Sequence, residues 1–125
     1  MPYALQVTDP ADPIAYHLTP VEAWAAAPDG DPFRAASLED EGFVHLTHRM
    51  ADLVAVANTF YRDDPRPHVV LTIDLASLDA PWRYDGDERY PHVYGPIDRP
   101  AIGEVRPIPR SPDGEFLPID REDGG

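Results

Sequence analysis

Val69-Val70-Leu71-Thr72-Ile73-Asp74-Leu75 is the most strand-like run in the chain. It is almost continuously apolar and rich in β-branched residues. A strand with one wet face would alternate, so this run predicts a central strand covered on both sides. Downstream, Trp82-Arg83-Tyr84, Tyr90 to Ile97 and Ile102 to Ile108 are each bounded by Pro, Gly or Asp, as antiparallel strands would be. Upstream, Ile14 to Leu18 and Gly42-Phe43-Val44-His45-Leu46-Thr47 read as two further short strands.

Two main helices complete the pattern. Thr19-Pro20-Val21-Glu22 combines a capping-box pattern with proline at the first helical position. A helix should therefore start at Pro20, carry Val21, Trp24 and Ala25 on one face, and stop before the turn Pro28-Asp29-Gly30. Trp24 reads as a core anchor. In the second helix Leu53, Val56, Ala57 and Phe60 keep the 3.6-residue period. Pro112-Asp113-Gly114 supplies a tight turn before Phe116-Leu117-Pro118, which either closes a sheet as an edge or packs as a tail. The expected class is α+β, with mostly antiparallel sheets and no internal repeat.

A chain of 125 residues is the usual size of one domain and can bury a core without staples. The polar or proline-rich ends, 1–12 and 120–125, are expected to fray, which leaves a domain over 13–119. No cysteine is present, so disulfides, thiolate nucleophiles and cysteine–metal sites are excluded. The opening MPYALQVTDPADP has neither a basic segment nor an apolar run of signal-peptide length, and no stretch is long enough to span a bilayer. The expected location is the cytoplasm. The formal charge of −13 repels phosphate backbones, and the arginines are scattered singly from Arg34 to Arg121, so nucleic acid is not an expected partner. Every cation is an arginine, and the 16 prolines predict short, stiff loops.

Five histidines occur, and two of them, His45 and His92, sit within strands among apolar neighbours. Alternation places His45 with Thr47, opposite Val44 and Leu46, and His92 with Tyr94, opposite Val93. Gly95-Pro96 lets the backbone turn beside the second pair. If the two strands are neighbours, His45, Thr47, His92 and Tyr94 line one cleft. His17 approaches from the first strand, and Asp85 is the carboxylate expected nearest, although Asp85-Gly86-Asp87-Glu88 also reads as a solvated hairpin tip. His48 is expected to begin the second helix and face solvent, and His68 to lie in a loop. Taken singly, each histidine is better explained as the partner of a buried carbonyl or as a solvent-facing residue, and it is together that they point to a site.

Several blocks resemble the DUF952 family. Ala15-Tyr16-His17-Leu18 with Trp24, and Ser37-Leu38 with Glu41-Gly42-Phe43-Val44-His45-Leu46-Thr47, are similar to its first blocks. Trp82-Arg83-Tyr84-Asp85 resembles a segment that usually ends in glutamate. Tyr90-Pro91-His92-Val93-Tyr94-Gly95-Pro96-Ile97 resembles the specific "FPHLYGPL" signature, and Asp113-Gly114-Glu115-Phe116 the closing turn. The likeness runs from about residue 14 to 118. It departs at Asp85, where glutamate is usual, and at Tyr90, where phenylalanine is usual.

The resemblance implies an ADP-ribosylation-like fold with a cleft between two small sheets. Phe43-Val44-His45-Leu46-Thr47 is also similar to the His-hydrophobic-Ser/Thr strand of RNA 2′-phosphotransferases. Three readings follow. In the first, NAD or ADP-ribose is bound by His17, His45, Thr47 and Tyr94, with His45, His92 and Asp85 carrying ADP-ribosyltransferase-like chemistry. The second is a non-catalytic ligand-sensing or protein-interaction module. The third is a metal-assisted hydrolase or isomerase using His45, His92 and Asp85, although no tight metal-ligand spacing supports it. All leave the oligomeric state open.

Overall fold

A computed structural model describes residues 13–119, and the ends expected to fray lie outside the described residues. Val69 to Asp74 lie in β3 (His68–Asp74), central in a sheet with β1 (Ile14–Pro20) and β6 (Ile102–Pro107), both antiparallel to it, and Leu75 begins a short 3-10 turn. The period of two explains its position. Val69, Leu71 and Ile73 join one core cluster while Val70 joins another, so both faces are covered.

A second antiparallel sheet consists of β2 (Val44–His45), β5 (Pro91–Val93) and β4 (Trp82–Tyr84), with β5 in the middle. Its inner side chains Val44 and Val93 are fully buried with Ala15, Phe33 and Ile97. The two sheets meet where Tyr16 N–H donates to the Thr47 carbonyl at 2.7 Å and Thr47 N–H returns to Tyr16 at 2.9 Å. The fold is therefore a small α+β unit of two antiparallel sheets. Among the described residues no helix is long and apolar enough to cross a membrane.

The helices differ from expectation. α1 (Val21–Ala26) begins after Pro20, which ends β1, and no side chain caps it. Thr19 is buried within β1, so the capping box is not formed. Ala25 is exposed, whereas Trp24 anchors as expected, edge-on to Phe33 at 5.4 Å. α2 (Ala36–Glu41) is too short to show a period in the sequence. It ends at Gly42, whose φ of 89° is the left-handed conformation that glycine accepts most readily. α3 (Met50–Phe60) buries Leu53 and Ala57 but leaves Phe60 73% exposed, so the packing face is narrower than its apolar pattern suggested.

The segment Tyr90 to Ile97 is not one strand. Only Pro91–Val93 pair in the sheet, and Ile97 exchanges backbone hydrogen bonds with Phe33 instead. Phe116 packs as part of a tail beneath α3, held through its backbone by the Asn58 amide at 2.7 and 3.0 Å.

Candidate functional site

β2 and β5 are neighbours, and they pair in a register that sets His45 directly opposite His92. β4 pairs on the other side of β5 with Arg83 opposite His92. The period of two then carries three pairs to one face: Phe43 with His45, His92 with Tyr94, and Arg83 with Asp85. Their contacts agree. Phe43 stacks on His92 at 4.2 Å with an interplanar angle of 21° and lies 5.4 Å from Tyr94. The His45 and His92 rings stand nearly perpendicular at 5.2 Å, and the Arg83 guanidinium lies over the Tyr94 ring at 4.4 Å.

Asp85 is the hub. One of its oxygens accepts from Arg83 Nε at 2.7 Å, and the other accepts from His92 Nδ1 at 2.8 Å and also from the Tyr94 hydroxyl. The Tyr94 hydroxyl, then Arg83 and His92, hold this carboxyl well below the usual carboxylate range. The same contact pushes the Tyr94 hydroxyl above its ordinary value of 10. An ionised carboxylate only accepts, so His92 carries a proton on Nδ1, and in the neutral tautomer this bond selects, Nε2 is the acceptor. His45 is held more loosely, with Nε2 at 3.2 Å from Glu41 Oε1 at the end of α2.

Thr47 is 4% exposed and covered rather than open beside His45: its backbone pairs with Tyr16 of β1, while the Leu46 and His48 N–H groups go on donating to the Pro91 and Arg89 carbonyls. His17 lies beneath the face rather than on it, donating from Nδ1 to the His45 carbonyl at 2.8 Å, and burial pushes it down to about 4. His48 is not a solvent-facing helix start. It precedes α3 and bridges the sheets, donating from Nδ1 to the Ile14 carbonyl at 2.8 Å and accepting from the Tyr84 hydroxyl at 2.7 Å. His68 is no loop residue but the buried first residue of β3, lowered by burial and bonded to the Arg66 carbonyl.

Gly95 does not make a left-handed turn. A Cβ there would lie 2.8 Å from the Cβ of Ala80, so close packing is what requires glycine. Asp85 belongs to the cluster and not to a free hairpin tip. Phe43, Arg83 and Glu41 escaped notice, although Phe43 shares the parity of His45, and Arg83 that of Asp85.

This face is open. Depressions of about 420 and 450 Å³ lie elsewhere, the first lined by Ala23, Ala26, Pro28 and Pro96, the second by Arg62, Arg110 and Ser111. Among the described residues no three His, Asp or Glu side chains are grouped to hold a metal ion, so His45, His92 and Asp85 are not a three-ligand set.

The architecture and its face define a small two-sheet α+β domain bearing an imidazole–aromatic cluster. The family model for DUF952, a protein family of unknown function, matches residues 18–105, and the chain belongs to that family. The matched span holds the cluster but not Tyr16-His17 or the closing turn at Asp113. Among solved structures, the crystal structure of protein CC0527 from Caulobacter crescentus is similar, with a TM-score of 0.70 and 20% identity over 83% of this chain and 93% of that one. The solution structure of the same protein gives a TM-score of 0.63 and 23% identity, covering 82% and 90%. These identities show a shared fold alone. No curated protein matches the sequence.

Proposed function

We propose that the open face of the second sheet binds a small ligand with a flat ring, of the NAD or ADP-ribose type, and that His92 accepts a proton there. The observation that carries this reading is the Asp85–His92 pair. A fixed carboxylate on Nδ1 orients the ring and stabilises the imidazolium that forms when Nε2 takes a proton. Asp85 is thus an orienting group rather than the acid or base. Phe43 and Tyr94 supply ring surface, and His45, unlike Thr47 and His17, is placed to touch a ribose.

The charge of the face favours the cationic nicotinamide end over the pyrophosphate. Arg83 is already paired with Asp85, while Glu41 and Asp85 both stand beside the rings. A two-sheet α+β build is compatible with an ADP-ribosyltransferase-like fold and with that class of chemistry. A non-catalytic sensing or interaction module is the second reading, favoured by the openness of the face.

The deciding experiment is a thermal-shift and calorimetric comparison of NAD, ADP-ribose and nicotinamide on the wild type, Phe43→Ala and His92→Ala. A ligand at about 100 times its Kd stabilises the folded state by about 2.7 kcal/mol, a clear rise in Tm. The rise should vanish in Phe43→Ala. Silence of the wild type toward all three compounds sinks the nucleotide reading, and binding without turnover favours the sensing module.

A further inference from the structure

Both imidazoles on this face are tied through one nitrogen only. His45 gives Nε2 to Glu41 and His92 gives Nδ1 to Asp85, and among the described residues neither His45 Nδ1 nor His92 Nε2 has a protein partner. A carboxylate on the far nitrogen is the usual outer shell of a metal-bound histidine, since it fixes the tautomer and raises the basicity of the ligating nitrogen.

The ring spacing agrees with this. With a metal–nitrogen bond of about 2.1 Å and a tetrahedral angle of about 109°, two imidazoles sharing one ion have their centres roughly 5 Å apart. The His45 and His92 centroids are 5.2 Å apart. The site lies on facing residues of paired strands, so the backbone register sets this separation. The chain's charge of −13 draws cations toward it.

We propose that His45 and His92 form a two-imidazole site for a borderline-soft divalent cation such as zinc or copper(II), with water completing the coordination shell. Asp85 and Glu41 serve as its outer carboxylates and not as ligands. This differs from a three-ligand set, and it is an alternative use of the same face, since an ion on His92 Nε2 occupies the lone pair that would take a proton in the nucleotide reading. Two protein ligands make a weak, exchangeable site, and copper(II) should bind more tightly than zinc.

The test uses the full untagged chain stripped with a chelator, titrated calorimetrically with zinc chloride and then copper(II) chloride. The wild type should take up one equivalent of either ion. His45→Ala and His92→Ala should each weaken binding about 10-fold or more, and Asp85→Asn by about 10-fold through the outer shell alone. His92→Gln, checked by circular dichroism, guards against loss of fold. His17, His48 and His68 remain in every variant, so uptake unchanged in both alanine variants assigns the metal to them and overturns the proposal. Absence of uptake by the wild type does the same. Failure of NAD to bind the metal-free chain leaves the zinc result untouched.

Discussion

Burying His17 makes stability depend on pH in a window of its own. Burial lowers the folded-state value to about 4 from 6.5, only partly offset by the hydrogen bond to the His45 carbonyl. The unfolded chain takes up a proton below about pH 6.5 that the folded chain refuses, so stability should fall as pH drops from about 6.5 to about 4. The loss amounts to about 3 kcal/mol at most. The depressed carboxylates Asp64 and Asp85 act below this window, because their stabilising contribution is lost only as pH falls beneath the ordinary aspartate range. Urea unfolding at pH 7 and pH 4.5 should show a smaller difference in His17→Gln than in the wild type. Equal differences would mean that His17 is protonated as readily folded as unfolded.

Which residues were legible at this scale follows from what alternation encodes. His45, His92 and Tyr94 were found because parity within a strand is local information. Thr47 misled because alternation does not report burial, and the pairing of its backbone with Tyr16, 31 residues away, covers it. The partners of His48 lie 34 and 36 residues away, at Ile14 and Tyr84, and no local pattern reports them.

At the scale of elements, the long central strand was readable because seven consecutive residues carry one signal, while the six residues of α2 carry almost none. The capping box at Thr19 lost to tertiary pairing. β1 keeps register with β3 through Pro20 opposite His68, and that ladder absorbs the residue that would have capped α1. Gly95 gives an element-scale prediction. Gly95→Ala forces β5 and the segment around Ala80 apart and should cost about 1–3 kcal/mol of overpacking. Ala80→Gly, mild alone, should recover much of that loss in the double variant, since the two sites share one contact. Additive losses in chemical denaturation would show that the crowding is relieved elsewhere.

At the scale of the whole molecule, the hydrogen bonds that join the two sheets include the Tyr16–Thr47 bridge, the His17 bond to the His45 carbonyl, and His48 spanning Ile14 and Tyr84. His48→Ala removes two of these bonds together and should lower stability by about 2 kcal/mol. Near- and far-ultraviolet circular dichroism should still report a single transition in the wild type. In His48→Ala a near-ultraviolet signal that melts early would reveal the second sheet loosening first. An unchanged Tm would mean that the shared core around Val44, Val93 and Ile97 holds the sheets unaided.

The short strands of the second sheet turn Val44 and Val93 inward at full burial while their neighbours His45 and His92 look outward. For protein engineering this amounts to a writable surface on a fixed chassis. A combinatorial library at 43, 45, 92 and 94 can vary recognition chemistry without drawing on the interior, and selection for new ligands can proceed with little toll on folding.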